Sequence, residues 1–337
     1  MRIAIHKRDT EFTIRWIEYC KKHDIEFKLV DCYKNDIISQ VGDCDALMWH
    51  HSQSNYKDIL FAKQLLFSLQ QTGKKVFPDF NTCWHFDDKV GQKYLLESIG
   101  APLAPTYVFY TKEEALEWVK TTTFPKVFKL RGGAGSENVK LVRSATHACR
   151  LIRKAFRRGF PSFNRKGYLK ERIRKFKEGK VSMLYVLKGV ARLFYPVEFA
   201  TMLARQKGYI YFQEFIPNNN YDIRVIVIGD KAFAIKRIVR MNDFRASGSG
   251  NIIYDKNSFS ADIINLSFIL CEKLQTQCVA FDFVYDSAGH PYVVEISYGF
   301  TMAGYDPCEG YWDHSLMFHE GTIFPQDWMV ELLLKSE

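Results

Sequence analysis

Two acids placed by one turn are the residues of this 337-residue chain best suited to chemistry. In VAFDFVYDSAGHPYVVEIS, Val279 to Ser297, apolar residues flank a turn at Ala288-Gly289, the pattern of an antiparallel hairpin. With the pairing centred between Ala288 and Gly289, Asp282 lies opposite Glu295 and shares its face. Ser297, two residues on, points the same way, while Phe281, Phe283 and Val294 turn toward a core. Two adjacent carboxylates on an apolar hairpin repel one another unless a cation sits between them, and hard oxygen ligands favour magnesium arriving with phosphates; on a solvent face the same pair would carry no function. A second stretch, FPKVFKLRGGAGSENVKLV from Phe124 to Val142, has an apolar run ending in Lys129, a loop with Gly132, Gly133, Gly135 and Ser136, and another apolar run. A glycine loop between two strands suits phosphate. Yet it lacks the terminal Gly-Lys-Ser/Thr of a Walker loop and has Asn138 where a dinucleotide fingerprint needs glycine.

Both stretches need a scaffold. The first 90 residues alternate strand and helix: RIAIH, EFTIRWIEYCKKH, EFKLVDC, DALMWHH, LFAKQLLFSLQQTG and KKVFPD. This order predicts a small parallel sheet flanked by helices, with His50 and His51 at a strand end, where open α/β sheets bind ligands. DDKVGQKYLLESIG reads as a helix stopped by Gly100, which puts a boundary near Phe86 to Lys89. DIRVIVIGDKAFAIKRIV predicts another hairpin, turning at Gly229-Asp230, whose face carries Asp222, Arg224 and Arg237.

Composition narrows the function classes. A 47% hydrophobic content suffices for about two buried domains, and no apolar stretch approaches the roughly 18 residues of a membrane span, so a cytoplasmic protein is expected. Eight cysteines without a C-x-x-C pair read as reduced thiols rather than a zinc or disulfide framework. Between Arg143 and Lys180 stand fourteen lysines and arginines against Glu171 and Glu178, a local +12 in a chain of net +9, so the remainder carries −3. Within it, Arg150, Arg153, Lys154, Arg157 and Arg158 form the basic face of an amphipathic helix. The segment has few aromatics for base stacking, which argues against nucleic acid.

Taken together, DDK with Lys89, VFKLRGGAGS with Lys129, FQEFIP, YDIRVIVIGDK, DFRAS and the Asp282/Glu295 hairpin resemble an ATP-grasp enzyme over roughly residues 80–300. Among these, the chain resembles the carboxylate-amine ligases related to the ribosomal-protein glutamate ligase. The resemblance implies an α/β fold with α+β lids. Residues 1–88 would be an N-terminal Rossmann-like pre-ATP-grasp domain, 89–212 a first lid subdomain with a basic insertion at 143–180, and 213–337 a second subdomain with the metal-binding hairpin and a C-terminal tail. It implies ATP and Mg²⁺ as cofactors, with Lys89 and Lys129 on the phosphates under the glycine loop, Gln213, Glu214 and Phe215 lining the base, and Asp222 at the ribose. Arg245, Arg224 and Arg237 would stand at phosphate or substrate positions, and Asp282 and Glu295 at the metal. The family usually reads Glu-x-Asn there, and this chain has Glu295-Ile296-Ser297, so the Ser297 hydroxyl would be the metal ligand in place of the asparagine amide.

The chemistry so implied is two-step amide formation: a substrate carboxylate takes the γ-phosphate of ATP to give an acyl phosphate, and an amine then displaces phosphate. The tail from Tyr298 resembles those of ATP-grasp proteins of bacterial cell-surface polysaccharide synthesis. That points to small carboxylate and amine substrates, such as an amino acid and a sugar acid, and to a lipid-linked glycan or anionic membrane surface as partner of the basic segment, with a membrane-peripheral placement. Tyr305, Asp306, Trp312 and Asp313 would either line an acceptor pocket or pack the tail onto the core. The competing reading is an ATP-binding protein that associates with or modifies ribosomal protein or nucleic acid through the basic segment.

Overall fold

A computed structural model of the chain describes residues 1–132, 138–162, 165–177, 179, 181–195, 202–240, 244–246 and 250–335. Gly133, Gly135 and Ser136 of the glycine loop lie outside them. The chain forms two compact units: Met1–Phe86 with Tyr94–Leu103 and Ile216–Glu337, and Asp87–Lys93 with Ala104–Phe215.

The first unit begins with β1 (Ile3–His6), α1 (Glu11–Lys22), β2 (Phe27–Val30), α2 (Ile37–Gln40), β3 (Ala46–Met48), α3 (Tyr56–Gln70), β4 (Lys75–Phe77) and α4 (Phe80–Cys83). The four strands pair in parallel in the order β2-β1-β3-β4, as the strand-helix alternation predicts. Helix α1 starts because the Thr10 hydroxyl accepts from the Thr13 N–H, and it buries Phe12, Trp16 and Cys20, spaced four apart. At the sheet's C-terminal edge the buried Asp58 carboxylate accepts from Arg8 Nη1 at 2.6 Å, the Ser52 N–H at 2.6 Å and the Tyr33 hydroxyl at 2.5 Å, tying together the segments that follow β1, β2 and β3. His51 lies in this edge, buried, with its carbonyl accepting from the Tyr298 hydroxyl at 2.8 Å and its Nε2 without a hydrogen-bond partner.

The second unit contains the start of α5 (Lys89–Ser98), then β5 (Thr106–Phe109), α6 (Lys112–Thr121), β6 (Lys126–Lys129), β7 (Lys140–Val142), α7 (Ala145–Ala155), α8 (Arg165–Lys177), α9 (Met183–Phe194) and β8 (Ile210–Glu214). Its strands make an antiparallel sheet in the order β5-β8-β6-β7. The core beneath it joins Phe128, Leu130 and Phe212 of the sheet region to Ala115 and Val119 of α6 and Leu151 and Ile152 of α7.

The chain then returns to the first unit as β9 (Tyr221–Ile228), β10 (Lys231–Ile238), β11 (Ile252–Ile253), α10 (Ala261–Leu274), β12 (Cys278–Tyr285), β13 (Pro291–Ser297), β14 (Gly310–Asp313), β15 (Phe318–Glu320) and α11 (Pro325–Leu334). The path of this antiparallel sheet is β13-β12-β9-β10-β14-β15, with β11 on β10. Strict alternation gives it two apolar faces. Val225, Val227, Phe281 and Phe283 pack with Ile264 and Phe268 of α10, while Ile226, Ile228, Phe233, Ile235 and Ala280 pack with Ile3, Ile5, Phe12 and Trp16 of the N-terminal elements and Met329 of α11.

The register of the β12/β13 hairpin corrects one expectation. Asp282 pairs with Glu295, but the ladder then shifts by one residue, so Phe283 pairs with Val293. The bulge makes Val293, fully buried, the core residue; Val294 is only half-buried.

Burial holds the His51 imidazole well below its ordinary pKa, and Lys63 adds to this. The unfolded chain therefore takes up a proton near pH 6.5 that the native state refuses, and the stability this group contributes above that pH is lost as pH falls below it, by about 1.4 kcal/mol per unit. Urea unfolding at about pH 7 and about pH 5.5 should show wild type losing stability, with a loss smaller by about 1.3 kcal/mol over that interval in His51→Gln. Equal slopes would exclude His51 as the titrating group.

Candidate functional site

In the first unit, charge is concentrated where the β9–β13 face packed on the N-terminal elements runs out of apolar residues. Strand pairing sets Asp222 opposite Arg237, Asp282 opposite Arg224 on its one side and opposite Glu295 on the other. Five ionisable groups thus occupy one face of β10, β9, β12 and β13. Arg237 grips Asp222 bidentately, Nε to Oδ1 at 2.6 Å and Nη2 to Oδ2 at 2.8 Å. Its Nη2 also lies 3.0 Å from Asp282 Oδ1, and Arg224 Nε lies 3.3 Å from the same oxygen. Desolvation acts most strongly here: burial, with Asp282 nearby, pushes the Asp222 carboxyl up to about 6 against the pull of Arg237. For Arg237, burial is outweighed by Asp282 and Asp222, which hold the guanidinium charged.

The carboxylate pair is therefore not left to repel. An Asp282 Oδ1 that is buried yet lacks a hydrogen bond of good geometry despite its ion pairs fits a divalent cation held by Asp282 and Glu295. Among the described residues no group of three or more His, Cys, Asp or Glu is placed to hold a metal, so the other ligands would have to come from phosphates and water. Ser297 is less well disposed. Its hydroxyl donates to the Gly299 carbonyl at 3.1 Å and accepts from the Gly299 N–H at 3.2 Å, leaving one lone pair.

In the second unit, Lys129 of β6 and Gln213 of β8, expected at the phosphates and the base, meet each other. Gln213 is buried, accepts from Lys129 Nζ at 2.7 Å through Oε1 and donates to Thr106 Oγ1 at 3.1 Å through Nε2. Those bonds fix the orientation of an amide that Lys129, itself buried, would otherwise leave undetermined. Lys89, at the start of α5, is buried with its Nζ 3.5 Å from Asp87, and its backbone N–H donates to the Arg131 carbonyl at 2.9 Å. That bond ties the loop around Gly132 to the helix start. A side chain at Gly132 would place Cβ 3.3 Å from Asp87 Oδ2, tighter than ordinary contact. Glu214 is engaged differently from the expected base contact: it pairs with Lys126 and accepts from the Tyr107 hydroxyl at 3.0 Å. Phe215 ends the unit, and Arg245 lies in the first unit, half-buried.

Sequence reasoning missed Lys126, which is fully buried against Glu214. Its signal was a second lysine three residues before Lys129 in a strand buried along its whole length. In the tail, Tyr305 and Trp312 are buried in the two apolar cores, Asp306 is gripped bidentately by Arg15 at 2.8 Å through both oxygens, and Asp313 meets His319 at 2.7 Å. These four residues pack the tail.

The comparison with known proteins now has this geometry to meet. Residues 197–306, the segment holding β8 to β13 and the five-charge face, match the family model of the RimK-like ATP-grasp domain. The chain has the ATP-grasp fold. A RimK domain ATP-grasp protein from Sphaerobacter thermophilus is 17% identical, with 88% of this chain and 90% of that one covered at a TM-score of 0.51. The biotin carboxylase domain of the Hydrogenobacter thermophilus 2-oxoglutarate carboxylase, solved with MgADP and bicarbonate, is 13% identical, covering 99% and 70% at 0.60. D-alanine–D-alanine ligase from Bacillus anthracis, solved with ATP, is 14% identical, covering 90% and 88% at 0.51. No curated protein matches the chain by sequence. Within the ATP-grasp fold, the charged face and the Lys129–Gln213 pair stand on β-strands, whose backbone pairing fixes them.

Removing one member of the buried Asp222–Arg237 pair strands its partner. Arg237→Gln should cost about 3 kcal/mol of stability, and adding Asp222→Asn should restore part of it, as read by urea unfolding in a double-mutant cycle. Strict additivity would mean the two side chains do not depend on each other.

Proposed function

We propose that this protein is an ATP- and Mg²⁺-dependent ligase that joins a carboxylate to an amine, releasing ADP and phosphate through an acyl phosphate. The observation that carries the proposal is the register that sets Asp282 beside Glu295 with Arg224 and Arg237 on the same face. Carboxylates for a metal and guanidiniums for an anion, held on rigid strands, are what phosphoryl transfer to a carboxylate requires. The reaction needs charge neutralised and groups positioned rather than a side-chain nucleophile. When bound, Mg²⁺ would neutralise phosphate oxygens as Lewis acid.

The chain's own residues divide the remaining work. Asp282 and Glu295 would hold the metal, and Arg224 and Arg237 orient Asp282. Lys89 and Lys129 would offset phosphate charge, with Gln213 setting the position of the Lys129 ammonium. Gln213 and Phe215 would border the base, Glu214 stiffens that strand end through Lys126, and Arg245 would contact a phosphate or substrate. Residues 1–88, 89–212 and 213–337 would serve as pre-ATP-grasp domain, lid and metal-bearing subdomain. The finer reading, an amino acid joined to a sugar acid in cell-surface polysaccharide synthesis, draws its support from the resemblance of the tail.

Screening amino acids against sugar acids for ADP release should reveal turnover only when carboxylate and amine are both present. Asp282→Asn and Glu295→Gln should each abolish that turnover with the fold intact; near-normal ADP formation in either removes the metal assignment. Lys129→Met should weaken ATP at least tenfold and leave adenosine affinity nearly unchanged, since only the phosphates lose a partner. Equal loss for both ligands would place Lys129 away from the phosphates.

A further inference from the structure

The helical hairpin α8–α9 sets a buried arginine beside Leu169 in its seam and leaves other aliphatic groups outside. Along the inner seam the buried Arg172 guanidinium stacks 3.8 Å from the centre of the Tyr185 ring and 4.5 Å from that of Tyr168. Its Nη1 donates to the Tyr185 carbonyl at 2.5 Å and its Nη2 to the Tyr168 hydroxyl at 2.9 Å, and Arg192 Nη1 reaches that hydroxyl from α9 at 3.3 Å. Gly189 permits the close approach, because a Cβ there would stand 2.7 Å from Arg172 Cδ.

The outward side of α9 is apolar. Met183, Leu184, Leu187 and Val190 are 54%, 68%, 53% and 40% exposed, and their spacing puts them on one stripe opposite the buried Val186 and Gly189. Ile173 and Phe176 on α8, three residues apart, are exposed as well, and Tyr195 just past α9 is 82% exposed. Among the described residues, none of α8 or α9 belongs to the apolar core of its unit. A stripe of this kind in contact with water is unfavourable and marks an interaction surface.

Charge selects the occupant. From Arg143 to Tyr195 the chain has sixteen lysines and arginines against Glu171 and Glu178, a local +14. Lys188, next to Leu187 on α9, and Lys177, next to Phe176 on α8, are both exposed. Aliphatic side chains next to an excess of cations, on a helix of twelve residues, match the interface of an anionic bilayer, where the apolar stripe enters the headgroup boundary and the cations stay with the phosphates. No helix among the described residues is long and apolar enough to cross a membrane. Helix α7, whose basic face the sequence singles out for such a surface, has nothing to insert: Leu151 and Ile152 are committed to the core. We propose that the α8–α9 hairpin docks the protein on anionic membranes by burying Met183, Leu184, Leu187 and Val190 in the interface.

The test needs no nucleotide, so its failure is distinct from failure of the ligase assignment. The full chain is floated with vesicles of phosphatidylcholine alone and of phosphatidylcholine with phosphatidylserine, at low and high salt. Wild type should bind only the anionic vesicles, more weakly at high salt, and Leu184→Ser/Leu187→Ser should lower that binding about tenfold, close to 1.4 kcal/mol, at an unchanged thermal midpoint. Should that double variant fold poorly, Lys177→Gln/Lys188→Gln, which keeps the stripe, should weaken anionic binding severalfold. Absence of anionic vesicle binding by wild type overturns the proposal. So does equal binding by wild type and the serine variant, which would leave charge alone to act, as for a nucleic acid. A wild-type dimer in light scattering that the serine substitutions dissolve, without vesicle binding, would assign the stripe to a second copy instead.

Discussion

The placement of Asp282 governs much else in this protein. Its carboxylate sits between two guanidiniums, with Phe281 and Phe283 on either side in the strand turned to the apolar face, and that position exists only while β9, β10, β12 and β13 keep their register. Side chains alternate between faces with a period of two, so a slip of one residue in β12 would drive Asp282 into the α10 core and bring Phe281 or Phe283 to the charged face. Burying an unpaired charge costs several kcal/mol, as does exposing an aromatic core, so the charged and apolar faces enforce the same alignment.

The bulge between Asp282 and Phe283 reconciles two demands on one hairpin. The turn at Asp286 to His290 closes through its own hydrogen bonds, with the Asp286 carboxylate accepting from the Ala288 and His290 N–H groups at 2.9 Å. The site end must set Asp282 opposite Glu295. One extra residue, Val294, absorbs the mismatch and lets Val293 reach the core. The second unit solves a related problem with different means. Lysines buried on β6 are each answered from β8, Lys126 by Glu214 and Lys129 by Gln213. The charged partner neutralises its lysine. Gln213 answers Lys129 with an uncharged amide.

The α8–α9 hairpin contrasts with both. Its helices are joined by cation–π stacking and by hydrogen bonds from a buried arginine, while Leu184 and Leu187 are left on an outer surface. An amphipathic helix normally spends its aliphatic side on its own core, and α7 does so. Helix α9 leaves Met183, Leu184 and Leu187 exposed instead.

Local patterns alone determined the parallel N-terminal sheet, both hairpins, the pairing of Asp282 with Glu295 and the shared face of Asp222, Arg224 and Arg237, because periodicity and turn residues act over a few positions and fix which side chains lie together. The motifs also carried enough of the family pattern to anticipate the ATP-grasp fold. Tertiary structure decided the rest. That Val293 rather than Val294 is core follows from a bulge set by the competing closures of turn and site. That Asp222 is gripped by Arg237, Glu214 by Lys126, and Tyr305 and Trp312 by the apolar cores depends on groups 15 to 88 residues apart or on packing around them. Which helix spends its aliphatic side inward was equally unreadable from local pattern. The outcome rests on what each packs against, and that information is not local to either helix.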